Sequence, residues 1–159
     1  MRAMVLHTPA PIETSPLKSE ELTLPLPRAG EVRIQVRCCA ICHTDLHIAE
    51  GDLQLPKLPL IPGHQIVGTV DALGENVRSL KPGDRVGIPW LHSTCGECDY
   101  CRHRFENLCE RARFTGFHDD GGYAEYALAR EDFAFPLPEA FSDENAAPLL
   151  CAGIVGYRA

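Results

Sequence analysis

The stretch CGECDYCRHRFENLC, residues 95–109, contains four cysteines with the spacing C-x2-C-x2-C-x7-C. Three thiols at three-residue intervals can face one point, and the fourth returns after a loop long enough to complete a tetrahedron. Four thiolates at about 2.3 Å with no open position are the ligand set of a structural Zn²⁺ site. Two disulfides are the alternative, which the lack of any secretion signal at 1–14 disfavours. The spacing therefore predicts a structural zinc, in a lobe at about 92–112, held by Cys95, Cys98, Cys101 and Cys109.

The composition limits the classes of protein to which the chain can belong. The chain has 159 residues, 45% of them apolar and 23% charged, as in an ordinary globular domain that buries a core. The net charge is −7 with scattered lysines and arginines, which argues against nucleic-acid binding. The longest apolar run, 148–157, is too short to cross a membrane. Eight cysteines without an export signal predict a reducing compartment, the cytoplasm, where thiols serve as metal ligands.

Turn residues divide the chain into short elements. Thirteen prolines and thirteen glycines are spread along it, which favours β structure. Alternating and apolar runs bounded by turn signals predict strands at 32–38, 66–73, 85–88 and 123–128. A helix is predicted at 41–50, ended by Gly51, and another from an N-cap at Ser142 toward residue 150. The pattern predicts a mainly β, barrel-like fold with short helices.

Three further residues are candidates for a second metal site, but spacing alone does not join them. Cys42 opens the polar run CHTDLH at 42–47, and His64 lies between glycines in PGHQIVG at 62–68. Cys151 stands far from both. A lone buried cysteine is most often an inert small hydrophobe, and a lone histidine is more often a hydrogen-bonded core residue. From the residues alone, the second site is the less favoured interpretation. Two other thiols, Cys38 and Cys39, are interpreted as buried strand residues without a metal.

Five motifs in one order identify a family. They are CHTD at 42–45, GHxxVG at 63–68, PGDRV at 82–86, the four-cysteine lobe, and GYAEY at 122–126. In this order, over essentially all 159 residues, the chain resembles the zinc-dependent medium-chain alcohol dehydrogenases, near their cinnamyl and propanol-preferring branches. The resemblance implies a GroES-like β-barrel catalytic domain over 1–159, normally followed by a Rossmann domain that binds NAD(H) or NADP(H).

The dinucleotide-binding part is not evident in these residues. No two glycines stand at i and i+2, so the G-x-G-x-x-G fingerprint of a Rossmann domain is absent. We therefore expect the nucleotide-binding domain to lie beyond residue 159. The isolated piece is expected to bind zinc and to turn over little or no alcohol.

The resemblance also joins the three scattered residues. It implies that Cys42, His64 and Cys151 hold a catalytic zinc with one open position, which makes two zinc ions per chain. Two thiolates balance the charge of the ion, and the alcohol loses its proton at the metal before a hydride passes to NAD or NADP. A small alcohol or aldehyde is the implied substrate, and a homo-oligomer is the implied state of the intact enzyme.

Other roles follow from matched positions in the family. Thr44 corresponds to the hydroxyl that takes the proton of the alcohol, and His47 to the outer member of a relay to solvent. The plain alternatives are a helix N-cap for Thr44 and a solvated helix residue for His47. His43 stands where the family contacts the cofactor pyrophosphate.

Three more positions surround the implied catalytic zinc. Asp45 corresponds to the carboxylate that holds the His64 imidazole in its ligating orientation. Trp90 matches an aromatic of the substrate pocket, although it would fit equally well in a core. Gln65 departs from the family, because most relatives have a glutamate there, and the change removes one negative charge near the metal.

One alternative belongs to another class. A stand-alone zinc-binding interaction module without redox activity would explain the missing cofactor domain. Such a module has no reason to assemble Cys42, Thr44, His47, His64 and Cys151. The number of bound zinc ions separates the two hypotheses.

Overall fold

The computed structural model describes residues 1–159, which form nine strands and four α-helices joined by short turns. The strands are β1 (Arg2–Leu6), β2 (Leu17–Glu21), β3 (Glu31–Ala40), β4 (Gln65–Leu73), β5 (Arg85–Ile88), β6 (Leu91–Ser93), β7 (Arg113–Phe114), β8 (Tyr126–Arg130) and β9 (Phe135–Pro136). The helices are α1 (His43–Glu50), α2 (Asp99–Arg102), α3 (Asp143–Ala146) and α4 (Ala152–Arg158). Short 3₁₀ turns occupy Ile12–Thr14, Glu106–Leu108, Glu131–Phe133 and Ala147–Leu150. None of the helices has the length and apolar content that a membrane crossing requires.

The principal sheet has five antiparallel strands in the order β8-β3-β4-β5-β9. Its inner face carries the main core, in which alternate residues of β3 such as Val32 and Ile34 are fully buried. The start of β4 is buried on both faces, because Val67 packs against Ala146 and Ala147 on the side opposite that core. The two-sided burial makes this strand the centre of the domain.

Two small sheets complete the fold. Strands β1 and β2 form an antiparallel hairpin, which isolated bridges join to Leu60 and Ala124. Strands β6 and β7 pair beside the four-cysteine lobe. Every strand pairing within the three sheets is antiparallel, so these 159 residues contain no parallel Rossmann sheet.

Most of the predicted elements are confirmed, and helix α1 is one example. It begins directly after Cys42 and ends where Gly51 adopts a left-handed backbone with φ 86°, which closes a bond from its N–H to the His47 carbonyl. The strands predicted at 32–38, 66–73 and 85–88 match β3, β4 and β5.

Two boundaries and one burial prediction were wrong. Strand β8 begins only at Tyr126, because the amides of Gly122 and Tyr123 donate to the loop carbonyls of Gly63 and Pro62 instead of a sheet neighbour. The helix predicted from Ser142 to 150 is a single α-turn followed by a 3₁₀ turn that contains a proline, which has no N–H for the α pattern. The thiols predicted to be buried, at positions 38 and 39, lie in β3 but are half-buried.

Candidate metal centres

The four predicted cysteines of the lobe converge on one point. Cys101 Sγ lies 3.8 Å from Cys95 Sγ and 3.5 Å from Cys98 Sγ, while Cys109 Sγ lies 3.6 Å from Cys95 Sγ. A tetrahedron with metal–sulfur bonds of about 2.3 Å has edges of about 3.8 Å. The donor set therefore fits a four-thiolate Zn²⁺, with no position left for a further ligand.

The lobe has almost no interior apart from these thiols. Of residues 94–112, only Cys101 and Cys109 are buried, and no residue of this range belongs to a hydrophobic core cluster. Backbone N–H groups of Glu97 and Cys98 lower the pKa of the Cys95 thiol to about 6. A backbone hydrogen bond from Cys101 lowers the pKa of Cys98, but burial and the neighbouring thiols outweigh it and raise that pKa to about 11. Cys95 is thus the more readily ionised of these two thiols, and a cation would stabilise the thiolate form of Cys98.

Cys42, His64 and Cys151 form a second cluster, which we call the open centre. Their ligand atoms all lie within 4.8 Å of one another, and the two sulfurs are 4.0 Å apart. Cys42 lies between β3 and α1, His64 immediately precedes β4, and Cys151 lies between the last 3₁₀ turn and α4. Three ligands of this type leave a tetrahedral metal ion one free position.

Asp45 connects two members of the open centre. Its Oδ1 lies 3.0 Å from Nδ1 of His64 and accepts the Gly63 N–H at 3.2 Å, while its Oδ2 accepts the Cys42 N–H at 2.9 Å. Asp45 and His64 are only 4% and 1% exposed. Because Nδ1 is engaged by the carboxylate, Nε2 is the nitrogen available to a metal.

The electrostatics of the open centre favour charge at Cys42 and His64. Burial raises the pKa of the Cys42 thiol, but contacts with the amide and hydroxyl of Thr44 and with His64 outweigh it, so the pKa is lowered. Burial lowers the pKa of His64, but its bond to Asp45 outweighs it, so the pKa is raised. Burial and the charge of Cys42 raise the pKa of Cys151 to about 11. A metal cation would compensate the charge that a second thiolate adds.

The residues predicted for proton transfer lie on α1. Thr44 Oγ1 is 3.7 Å from Cys42 Sγ, at the edge of the open centre. His47 lies one turn further along, with its Nδ1 2.7 Å from Asp52 Oδ2. No direct hydrogen bond joins Thr44 to His47. His43 is exposed, and its ring centroid lies 4.5 Å from that of His47.

Trp90, predicted for the substrate pocket, and Gln65, predicted to lie near the metal, are both next to His64. The Trp90 ring meets the His64 ring edge-to-face at 4.8 Å and stacks on Phe114 at 4.8 Å. Gln65 is 3% exposed and directly follows His64 at the start of β4. The tryptophan therefore forms an apolar wall beside the imidazole.

The structure also reveals groups that the sequence analysis missed. The hydroxyl of Tyr123 is buried without a hydrogen-bond partner, and burial followed by the charge of Asp45 raises its pKa. Arg37 and Arg85 both bind Asp143 at the start of α3. The GYAEY and PGDRV motifs contain Tyr123 and Arg85, but no local pattern shows what these side chains contact.

Comparison with known proteins identifies the family. The model of the alcohol dehydrogenase GroES-like domain matches residues 28–139, well over half of the chain. The chain belongs to this family. The predicted mainly β, GroES-like fold and the resemblance to zinc-type medium-chain alcohol dehydrogenases are thereby confirmed.

Individual relatives of this GroES-like domain agree with that assignment. An alcohol dehydrogenase of Geobacillus stearothermophilus is 51% identical over 145 residues, which is 91% of this chain and 43% of that protein. A cobalt- and zinc-bound thermostable alcohol dehydrogenase of Pyrobaculum aerophilum matches with a TM-score of 0.89 at 30% identity, over 100% of this chain and 48% of that one. An Escherichia coli CFT073 alcohol dehydrogenase solved with NADH matches with a TM-score of 0.83 at 35% identity, over 94% of this chain and 42% of that one. The chain thus spans less than half of each relative.

Proposed function

We propose that these residues form the metal-bearing half of an NAD(P)-dependent alcohol dehydrogenase, which interconverts alcohols and aldehydes or ketones. The observation that carries the proposal is the open centre, in which Asp45 orients His64 beside two thiols in a chain of the alcohol dehydrogenase GroES-like family. The closed lobe would order only its own segment, while a metal ion at the open centre would keep one ligand position free for a substrate oxygen.

The residues of the open centre fit a catalytic Zn²⁺. Cys42 and Cys151 would supply two thiolates that balance its charge, and His64 would bind through Nε2. When bound there, Zn²⁺ supplies a Lewis acid that lowers the pKa of an alcohol hydroxyl. The four-thiolate lobe has no open position and would remain structural.

The side chains around the open centre have distinct proposed tasks. The Thr44 hydroxyl, 3.7 Å from Cys42 Sγ, would accept the proton of the alcohol and pass it outward. His47 would receive that proton through an intervening group and release it to solvent, with Asp52 fixing its ring at 2.7 Å. Trp90 would restrict the space beside His64 to small or slender alcohols. Gln65 would keep the site free of an additional carboxylate charge.

The hydride acceptor must be held largely by residues other than these. The 159 residues lack the dinucleotide fingerprint. The Escherichia coli relative, of which this chain covers only 42%, was solved with NADH. His43 is exposed near the open centre and is proposed to contact the anionic part of the cofactor. We therefore propose that this chain alone binds two metal ions and no functional NAD(P).

Metal analysis with cobalt substitution tests the proposal. The chain should bind two metal ions, and Co²⁺ at the open centre should change its absorption when a primary alcohol or pyrazole enters the free position. A Cys151→Ser variant should lose this response and keep the lobe metal. A single bound metal with no response to these ligands would contradict the enzyme proposal and support a zinc-binding module. NAD-dependent turnover by the 159 residues alone would contradict the proposed division of tasks.

A further inference from the structure

The three members of the open centre are not held equally. Cys42 and His64 share Asp45, whose oxygens also fix the backbone at Cys42 and Gly63. Cys151 has no such partner. It follows all nine strands, and its one hydrogen-bond-range contact with the other members is the 4.0 Å approach to Cys42 Sγ. Something else must fix the segment that carries it.

Asp143 is the polar anchor of that segment. Its Oδ1 accepts from Arg85 Nε at 2.8 Å, and its Oδ2 accepts from Arg37 Nε at 2.7 Å. The same Arg85 guanidinium donates to the carbonyls of Pro138 and Phe141 at 3.0 and 2.8 Å. We call Arg37, Arg85 and Asp143 the Asp143 clamp. It fixes both the loop before α3 and the first residue of α3.

One arginine lies on the strand that leads to Cys42, and the other lies on the neighbour of the strand that follows His64. Arg37 lies on β3, which runs directly toward Cys42. Arg85 lies on β5 and is paired with Thr69 of β4, the strand that begins immediately after His64. The Asp143 clamp therefore ties the segment of the third ligand directly to β3 and, through the pairing of β5 with β4, to the strand that follows His64.

Apolar contacts extend this attachment to the residue before Cys151. Ala146 and Ala147 are buried against Val67 of β4. Leu150 packs over Gly87 of β5 so closely that a Cβ at Gly87 would lie 2.7 Å from its side chain. The backbone path from Asp143 to Cys151 is thus seated on the sheet at its start, its middle and its end.

We propose that the Asp143 clamp positions Cys151, and so sets the metal affinity of the open centre independently of the four-cysteine lobe. Asp143 acts through the backbone of 143–151 and is a positioning residue, since it contacts no member of the open centre. The identity of the metal rests on the function proposed above, whereas the geometric role of the clamp does not.

The variant Asp143→Asn tests the proposal, with Asp71→Asn as the matched control. Asp71 also binds an arginine of β3, Arg33, at 2.6 Å, but it has no link to the segment of Cys151. In the metal-free chain, amide hydrogen exchange over 144–151 should be faster in Asp143→Asn than in the wild type or the control. In the metal-bound chain, chelator competition should show roughly tenfold weaker binding at the open centre and unchanged binding at the lobe.

Two further readouts separate positioning from general destabilisation. With Co²⁺ at the open centre, the sulfur-to-metal charge-transfer absorption should fall in Asp143→Asn, because one thiolate binds less often. Asp143→Glu keeps the charge and should restore part of the absorption. Exchange over 144–151 and metal affinities equal to those of Asp71→Asn would overturn the proposal. A wild-type chain that binds only the lobe metal would refute the proposed function, while the exchange comparison would still decide on the clamp.

Discussion

The lobe and the open centre use similar ligands in opposite ways. The lobe takes four thiols from 15 consecutive residues, 95–109, and encloses them with almost no other buried side chain. The open centre takes three ligands from positions up to 109 residues apart, and two of them lie at the ends of β3 and β4, interior strands of a sheet with its own core. In the first region the metal would stand in for a core, while in the second the core holds the ligands.

This difference determines what each metal can contribute. A closed site whose surroundings lack a core contributes its binding free energy to folding. A site held by an independent scaffold can leave a position free without loss of structure, and that position is where chemistry takes place. The contrast is open to tests that disrupt one region at a time.

The largest effect is expected from Cys101→Ser in the lobe. Without its metal, the lobe should lose about 4 kcal/mol of local stability, which raises its open population about a thousandfold. Limited proteolysis should then cut within 94–112 while the principal sheet stays folded, because no core cluster includes the lobe. Cys38→Ser, which changes a thiol outside both clusters, is the control. Global unfolding together with the lobe would show that the two regions are not separate.

The next effect is expected from Cys151→Ser in the open centre. Metal affinity there should fall more than about a hundredfold. The loss of a hydrogen-bond partner of a ligand already weakens metal binding about ten- to a hundredfold, and here a ligand itself is lost. The unfolding free energy of the metal-free protein should change by less than about 1 kcal/mol, because Cys151 is half-buried and belongs to no core cluster. Metal content and chemical denaturation measure both. A large fall in the unfolding free energy of the metal-free variant would contradict the difference proposed between the open centre and the lobe.

A smaller effect on metal binding is expected from Asp45→Asn. An amide can still meet some of the three groups that Asp45 binds, but it lacks the charge that raises the pKa of His64. Affinity at the open centre should fall about ten- to a hundredfold, with a loss of about 1–3 kcal/mol in stability. Asp52→Asn, which affects only the exposed His47, should leave chelator competition unchanged. An equal effect of both variants would argue against a special role for Asp45.

The smallest effect concerns pH and the Asp143 clamp. A hydrogen bond from Arg85 holds the pKa of Asp143 below its ordinary value of 3.8. Because the folded-state pKa is the lower one, the clamp stabilises the protein fully above pH 3.8, and this stabilisation is lost as pH falls through the folded-state value. The cost of Asp143→Asn, about 1 kcal/mol at neutral pH, should therefore shrink in acid. Chemical denaturation of the metal-free wild type and variant, at neutral pH and at pH values below 3.8, measures this cost. A cost that is independent of pH would count against a stabilising role of the ion pairs between Asp143 and the two arginines.

Prediction from sequence succeeded where the signal is local. The four cysteines lie within 15 residues, so their spacing alone indicates their convergence. The alternation of β3 and the Gly51 stop of α1 are equally local, and both are found in the structure. The start of β8 was misplaced because Gly122 and Tyr123 bond to a distant loop, which an apolar run cannot reveal.

Local sequence patterns could not predict the open centre or the residues that hold it in place. Only the family resemblance joined Cys42, His64 and Cys151, since their contact depends on the complete sheet. The bond between Arg37 and Asp143 spans 106 positions and has no spacing signature. Physical reasoning on sequence could name charged residues at both positions but could not pair them.

The shared carboxylate of Asp45 has a thermodynamic consequence. Its Oδ2 accepts the Cys42 N–H at the start of helix α1 and its Oδ1 fixes the His64 ring, so the backbone of the first ligand and the ring of the second are already oriented when the polypeptide folds. An arriving ion would find a two-point receptor prepared in advance, and the entropy still to be lost is mainly that of the Cys151 side chain, because the Asp143 clamp already holds its segment on the sheet. Metal binding should then proceed in two stages, with the ion first bound by Cys42 and His64 and the Cys151 side chain then rotating onto it.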